Sequence, residues 1–322
     1  PILFLDELQN ILGWEKFARR IADSKLRVYI TGSNARTLSS EIATTLGGRY
    51  VMKEVYPYNF AEYLYAHQVT HTKTAQTATK TRAILQHHFD EYLQYGGFPE
   101  GINLPSKRDY LMSVYQKIYL GDIAARHRIE NAFALRFLFK KLSESIMQPL
   151  SFTRLANLIT STGSKISKAT VINYMEYAKD SYLIFSIKNI ASHIAEREGN
   201  PKYYFVDNGI ISLLTLNAES ALLENMVAME LMRRYGQDNQ VFFYNDKVEV
   251  DFYIPETGTA IQVSMYPHES DETWRRETEA LVRMNKHLPC STHLLLTMNE
   301  EDTIIIDDIT IHMIPIWKWL LN

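Results

Sequence analysis

Two adjacent carboxylates, Asp6 and Glu7, follow the uninterrupted apolar run Ile2-Leu3-Phe4-Leu5. Such a run suits a strand buried on both faces of a parallel sheet. Its carboxyl end is where open α/β sheets place their ligand crevice. Acids at that place support a defined chemistry: Asp6 holds Mg²⁺ through water, and Glu7 polarises a water that attacks the terminal phosphate of a nucleotide. An ordinary strand followed by a helix with an acidic first turn fits the same residues. A second apolar stretch, Leu26–Ile30, ends in Thr31-Gly32-Ser33-Asn34, and Ser33 or Asn34 there can orient the same water. In the carboxyl half, Glu224 lies in a helical pattern, Asp251 on a strand, and Gln262 and Ser264 on the next strand.

The elements that position the first pair form a strand–helix–strand unit. Leu8, Ile11, Leu12, Phe17 and Ile21 supply apolar helical spacing between the two strands. Apolar residues followed by Asp-Glu match the Walker B pattern, and a polar strand end beside it matches sensor 1 of AAA-type ATPases. Polar residues at both carboxyl ends are more specific than either motif alone. A P-loop, GxxxxGK[ST], is the missing part: its backbone N–H groups and lysine cradle the phosphates. Gly47-Gly48-Arg49 and Gly96-Gly97-Phe98-Pro99 have neither its spacing nor its lysine. The P-loop is therefore expected upstream of Pro1, and these residues alone are expected to bind nucleotide weakly or not at all.

The sequence resembles a prokaryotic family of AAA-like P-loop ATPases with a carboxyl-terminal domain of uncharacterised function. The stretches that carry the resemblance are LFLDELQN, YITGSNARTLSSEIATTLGGRY, YPYNFAEYL, YGGFPE, IYLGDIAARHRI, LANLITSTGSKISKATVINYMEYAKDSYLIF, KYYFVDNGI, VEVDFYI and IQVSMYPHESDETWRRETEAL. It implies an upstream Walker A segment, a winged-helix-like middle and a nuclease-like carboxyl-terminal domain. It also draws attention to Arg49, which follows the sensor strand. An arginine there can reach phosphate in this subunit or a neighbour, or it is a surface residue after a Gly-Gly turn.

Residues 67–80 are polar and threonine-rich and read as an exposed segment. Helical periodicity resumes through Ile84–Leu93, stops at Gly96-Gly97-Phe98-Pro99, and returns as a long helix from Tyr110 to about His127. Asp122 and Arg126 fall at i and i+4 on that helix, the spacing of a surface ion pair. From Leu135 to Ile190 the pattern resembles a winged helix, with helices opened by Ser151 and Ser167 and a strand over Tyr182–Ile187. Lys165, Lys168 and Arg154 can meet DNA phosphates without reading sequence. A packing module between two larger domains fits equally, because Glu176 and Asp180 share the third helix.

From Lys202 the order of helix, three strands, helix and strand resembles the PD-(D/E)xK nuclease fold. Active members gather Mg²⁺ with strand carboxylates, because a hard cation prefers oxygen, and the ion activates water and clamps the scissile phosphate. Glu224 matches the helix acid and Asp251 the strand acid. Gln262 stands where the second acid belongs and Ser264 where the lysine belongs. Both losses fall on the chemistry itself, so this site is expected to be degenerate and inactive. A migrated lysine, Lys247 or Lys202, is the one route to rescue. The tail Ile311–Leu320, with Trp317 and Trp319, is expected to close the core.

The 322 residues are 46% hydrophobic and 22% charged, with a net charge of −3. That composition excludes a globally basic nucleic-acid binder and a disordered chain. No apolar run reaches membrane-spanning length, and the single cysteine, Cys290, suits a reducing compartment. The expectation is a cytoplasmic α/β multi-domain protein. Residues 1–66 form part of an AAA-like parallel sheet, 67–134 a helical region, 135–190 a winged-helix-like unit and 191–322 a restriction-endonuclease-like α/β domain. ATP and Mg²⁺ are the expected cofactors of the full-length protein, with the carboxyl-terminal domain used for binding or assembly. Expected partners are nucleotide, DNA through the winged-helix-like region, and a protein partner or second copy. The competing expectation is a Mg²⁺-dependent DNA nuclease or DNA-binding protein with a regulatory ATPase part.

Overall fold

The computed structural model describes residues 2–8, 11, 13–32, 50–72, 78–191, 200–216, 218–236 and 240–322. Strand β1 (Ile2–Leu5), helix α1 (Trp14–Asp23) and strand β2 (Arg27–Ile30) form the expected strand–helix–strand unit, but β1 is not buried on both faces, since Ile2 and Phe4 are exposed. The strands pair in parallel, with Leu5 opposite Ile30. Trp14 and Ala18 of α1 pack with Leu8 in a small core against Leu5, Ile30 and Tyr50. On the other side Phe4 and Tyr29 stack in the open, their ring centroids 5.2 Å apart.

The middle of the chain is helical: α2 (Phe60–Ala66), α3 (Thr79–Tyr95), α4 (Lys107–Gln116), α5 (Ala132–Glu144), α6 (Phe152–Ser161) and α7 (Lys168–Asp180). Ser151 and Ser167 cap α6 and α7 as expected, each accepting from the backbone N–H three residues on. Asn59 and Glu62 make a reciprocal capping box at α2. The long helix expected from Tyr110 to His127 is not a single α-helix. After α4 the backbone widens into a π-helical segment, Lys117–Ala125. There the Arg126 N–H reaches back five residues to the Gly121 carbonyl. Such wide turns recur at functional positions. The Asp122–Arg126 pair survives at 3.6 Å.

The remaining elements are β3 (Ile184–Asn189), β4 (Lys202–Phe205), α8 (Asn208–Leu214), α9 (Glu219–Tyr235), β5 (Phe242–Asn245), β6 (Glu249–Ile254), β7 (Thr259–Ser264), α10 (Asp271–Met284), β8 (Thr292–Thr297), β9 (Asp302–Ile306), β10 (Ile309–Pro315) and α11 (Ile316–Trp319). Eight strands make one mixed sheet in the order β4-β3-β5-β6-β7-β8-β10-β9. β5, β6 and β7 form an antiparallel meander, while β8 runs parallel to β7 and β10. β3 joins this sheet between β4 and β5.

Strand side chains alternate between the faces, except that β6 shifts register against β5 between Val250 and Tyr253, so Val250 and Phe252 fall in different cores. Phe243, Phe252 and Ile261 face a large core shared with α9 and the helical middle, and Val250, Ala260 and Leu295 face a second core with Leu281 and Met284 of α10. Trp317 is fully buried at the end of the chain, closing the larger core. Among the described residues no helix is long and apolar enough to cross a membrane.

Three segments quoted above meet at one buried acid. Asp207 accepts from the Gly97 N–H and the Gly209 N–H, both at 2.8 Å. Tyr58 N–H donates to the Gly97 carbonyl at 2.8 Å, and Arg233 donates to the Pro57 carbonyl at 2.9 Å. The Gly-Gly pair is what lets the backbone come this close. Gly96 has φ +74°, and a Cβ there would lie 1.8 Å from Asp207 Oδ1. Burial lifts the Asp207 carboxyl to about 6, against the two N–H groups and Arg233.

Candidate functional site

At the amino-terminal site, β1 and β2 end side by side. Thr31 N–H donates to the Leu5 carbonyl at 2.9 Å, which extends the parallel pairing by one residue. This places the Thr31 hydroxyl against Asp6, and it donates to Oδ1. Glu7 follows at φ 49°, in the left-handed region that non-glycine residues seldom occupy. Backbone of this kind concentrates at functional positions. The π-helical segment stands opposite. Burial raises the Asp122 carboxyl above its ordinary value against Arg126 and Lys117, and the charge of Glu7 adds to the rise.

A cavity of about 1190 Å³ runs along β2, with Thr31 and Gly32 on one wall and Lys117, Asp122 and Tyr182 on another. Ser33, Asn34 and Arg49 lie outside the described residues. Among the described residues no three His, Cys, Asp or Glu side chains are grouped to hold a metal ion. Asp6 fits the other way Mg²⁺ is bound, through one or two carboxylates together with substrate phosphates.

The second site is in the carboxyl-terminal sheet. Its four expected residues do come together: Glu224 of α9, Asp251 of β6, and Gln262 and Ser264 of β7 line one pocket of about 780 Å³. At their centre is Lys202 of β4, fully buried. Its Nζ lies 3.3 Å from Glu249, 3.4 Å from Asp251 and 3.5 Å from Glu224. Of the two lysines considered as migrants, Lys202 is thus in the cluster and Lys247 is on the pocket wall.

Most of these acid oxygens have a partner, while Glu224 Oε2 and Glu277 Oε2 are buried without a hydrogen-bond partner among the described residues. Asp251 Oδ2 accepts from the Val263 N–H at 2.9 Å, and Glu224 Oε1 accepts from the Tyr204 hydroxyl at 2.7 Å. Gln262 Oε1 accepts from the Asp251 N–H at 3.1 Å. Its side chain lies beside Glu277, which Arg276 clamps at 2.6 Å. A carboxylate at position 262 would face both Asp251 and Glu277, so the amide relieves a crowding of charge.

Sequence reasoning missed Glu249, Tyr204 and Glu277. Period-two spacing carried a signal for the first two, since Glu249 shares a strand face with Asp251, and Tyr204 with Lys202. Nothing local pointed to Glu277.

Electrostatics separate the members. Burial pulls the Lys202 ammonium down, but Glu224, Asp251 and Glu249 outweigh it and leave its pKa above the ordinary value. Burial and then the Asp251 charge push the Glu224 carboxyl from 4.5 up to about 7, with Lys202 and Tyr204 opposing. One ammonium shared among three acids does not hold all of them low. Because the folded pKa of Glu224 exceeds its unfolded value, its destabilising contribution is absent below pH 4.5 and complete above pH 7. A shift of this size is worth roughly 3 kcal/mol. Glu224→Gln removes that dependence, so its Tm relative to wild type is expected to climb between pH 4.5 and 7.5. Asp207 has the same sign but is common to both proteins and cancels. Thermal melts at several pH values check this; a difference that is flat or falls with pH contradicts it.

A model of an AAA domain matches residues 1–64, and a model of a domain of unknown function matches residues 86–221. An uncharacterized protein of Methanocaldococcus jannaschii is 34% identical over 99% of this chain and 74% of its own length. The chain belongs to the family of that protein. A second member, an uncharacterized protein of Haemophilus influenzae, is 29% identical over 99% of the chain and 77% of its own length. A further M. jannaschii protein is 25% identical over 58% of the chain. Within this family the AAA match covers Asp6, Glu7 and the whole of the β1–α1–β2 unit, and it supports an AAA-like ATPase domain at the amino-terminal side. The second match runs from α3 through Lys202 and α8 and stops short of Glu224, so the carboxyl-terminal pocket straddles its end.

Proposed function

We propose that the full-length protein is a Mg²⁺-dependent ATPase in which Asp6 is the Mg²⁺ carboxylate and Glu7 activates the hydrolytic water. The observation that carries it is the position of Asp6: at the carboxyl end of β1, hydrogen-bonded to Thr31 at the carboxyl end of the parallel neighbour. The AAA-domain match over the same residues and the left-handed backbone of Glu7 support the same reading. Mg²⁺, when bound with nucleotide, supplies positive charge against the phosphate oxygens. Asp6 is the group that would anchor it, and Thr31 is a positioning residue that fixes the Asp6 carboxylate through its hydroxyl. Glu7 takes up the proton of the attacking water. Ser33 or Asn34 is the proposed sensor and Arg49 the proposed phosphate-contacting arginine.

In this proposal residues 1–66 are the nucleotide part, 67–134 a helical region, 135–190 a winged-helix-like unit and 191–322 a binding or assembly domain. Steady-state ATP turnover by the full-length protein tests the function: it requires turnover that depends on Mg²⁺ and on Glu7, and turnover indifferent to Glu7 rejects the assignment.

A further inference from the structure

The resemblance of the carboxyl-terminal elements to a nuclease fold implies a divalent cation held at Glu224 and Asp251, and the residues present there, with Glu249 beside them, do not fit one. We infer that the Lys202 ammonium itself is the cation of this carboxylate site, so that the pocket is charge-compensated without metal.

The geometry gives three grounds. First, one oxygen of each of Glu249, Asp251 and Glu224 lies 3.3 to 3.5 Å from the same atom, Lys202 Nζ. A Mg²⁺ ion needs oxygens at about 2.0–2.1 Å and near-octahedral order, and Ca²⁺ at about 2.3–2.6 Å. An ion drawn to these oxygens would compete with the ammonium for the same space. Second, the ammonium cannot withdraw. Its side chain is fully buried, and the Phe243 ring closes another side with its centroid 5.4 Å away. Third, the oxygens are already committed in part: Glu224 Oε1 to the Tyr204 hydroxyl and Asp251 Oδ2 to the Val263 N–H, which leaves Glu224 Oε2 as a buried oxygen without a hydrogen-bond partner among the described residues.

A lysine acting beside a metal and a lysine acting instead of it make opposite predictions. If the ammonium is the cation, deleting its charge leaves three carboxylates around a lysine-shaped space, which is a divalent site in waiting. The test titrates the full-length wild type, Lys202→Met, and Lys202→Met/Asp251→Asn with Mn²⁺, counting bound ions by electron paramagnetic resonance and following Tm. Lys202→Met is expected to bind one more Mn²⁺ than wild type, the added ion to vanish in the double variant, and Tm to rise with Mn²⁺ in Lys202→Met alone. If Lys202→Met is unfolded in chelator, recovery of the fold on adding Mn²⁺ is the supporting result, and failure to recover counts against the inference. A second arm does not depend on that variant folding. Glu249 has a side chain 49% exposed, and Glu249→Gln in the wild-type background is expected to fold and to leave Mn²⁺ stoichiometry unchanged. A wild-type Mn²⁺ site that Glu249→Gln or Asp251→Asn removes overturns the inference, because the lysine then works alongside a metal. Equal Mn²⁺ binding by wild type and folded Lys202→Met overturns it as well. Failure here leaves the ATPase proposal untouched, since that rests on Asp6 and Glu7.

Discussion

Glu7→Gln in the full-length protein is expected to lower ATP turnover by about 10²–10⁴-fold, the range a positioned general base contributes. Glutamine keeps the size and the hydrogen-bonding reach of the glutamate but cannot accept the proton of the attacking water. Nucleotide binding is expected to survive, because Asp6 and its bond from Thr31 are unchanged. The effect therefore falls on kcat, with little change in the apparent affinity for ATP. A positive backbone φ at position 7 is a separate constraint that glutamine meets no worse than glutamate does. Single-turnover hydrolysis beside an equilibrium titration of ATP separates the two effects. Loss of binding together with turnover would point to a structural role for Glu7, and unchanged turnover would remove it from the chemistry.

Gly96→Ala is expected to destabilise the fold by about 4 kcal/mol or more, beyond the common range for a single substitution. Two costs add. An alanine held at φ +74° is strained by about 1–2 kcal/mol. Its Cβ would also fall inside the Asp207 carboxylate, 1.8 Å from Oδ1. That carboxylate is fully buried and fixed by the Gly97 and Gly209 N–H groups, so it cannot rotate aside without giving them up. Each hydrogen bond to a charged group is worth about 1.5–3 kcal/mol. A Tm lowered by about 6 °C or more follows from the usual conversion for a chain of this size. A melt within a degree or two of wild type would mean that the Gly96–Asp207 contact is not rigid. The contact joins α3 to the turn after β4, so the same variant should loosen the helical middle from the sheet.

Much of the fold was legible because its signals are local. The apolar run before Asp6, the polar end of β2, and the serines that cap α6 and α7 each announce an element within a few residues. The β6–β7 hairpin and the helix after it follow from alternation and then helical spacing. Other features are set by contacts far apart in sequence. The Gly97–Asp207 bond spans 110 residues, and the Lys202–Asp251 pair spans 49. Membership of β3 in the large sheet depends on β4 and β5, which the pattern of β3 does not encode. The break from α4 into the π-helical segment also escapes periodicity, because the apolar spacing continues through Ile118 and Ile123.

The two sites divide the same way. Asp6 was readable because strand ends in a parallel pair are neighbours by construction, whereas its partner Thr31 was not singled out, the sequence pointing instead to Ser33 or Asn34. The carboxyl-terminal cluster was readable for Glu224, Asp251, Gln262 and Ser264 through the order of elements, which brought them to one pocket. Lys202 was readable there only as one of two candidate lysines, and the sequence did not decide between it and Lys247. Lys202 sits on β4 at the edge of the sheet, and only the packing of β4 against α9 and β6 carries its ammonium to the acids. A basic residue in a buried strand is costly unless paired, and that cost, once the strand is known to be buried, is the signal that acids must surround it.

Asp6 is the residue on which the nucleotide reading turns, and its Mg²⁺ dependence is the most direct measurement. Turnover of the full-length wild type and of Asp6→Asn should be followed over rising Mg²⁺ at fixed ATP. Asparagine keeps an oxygen for the Thr31 hydroxyl but removes the charge that attracts the ion. The Asp6→Asn protein is expected to need at least about tenfold more Mg²⁺ for half-maximal turnover, the equivalent of about 1.4 kcal/mol of lost ion binding. Identical Mg²⁺ curves for the two proteins would show that Asp6 is no ligand and that the end of β1 is not the nucleotide site.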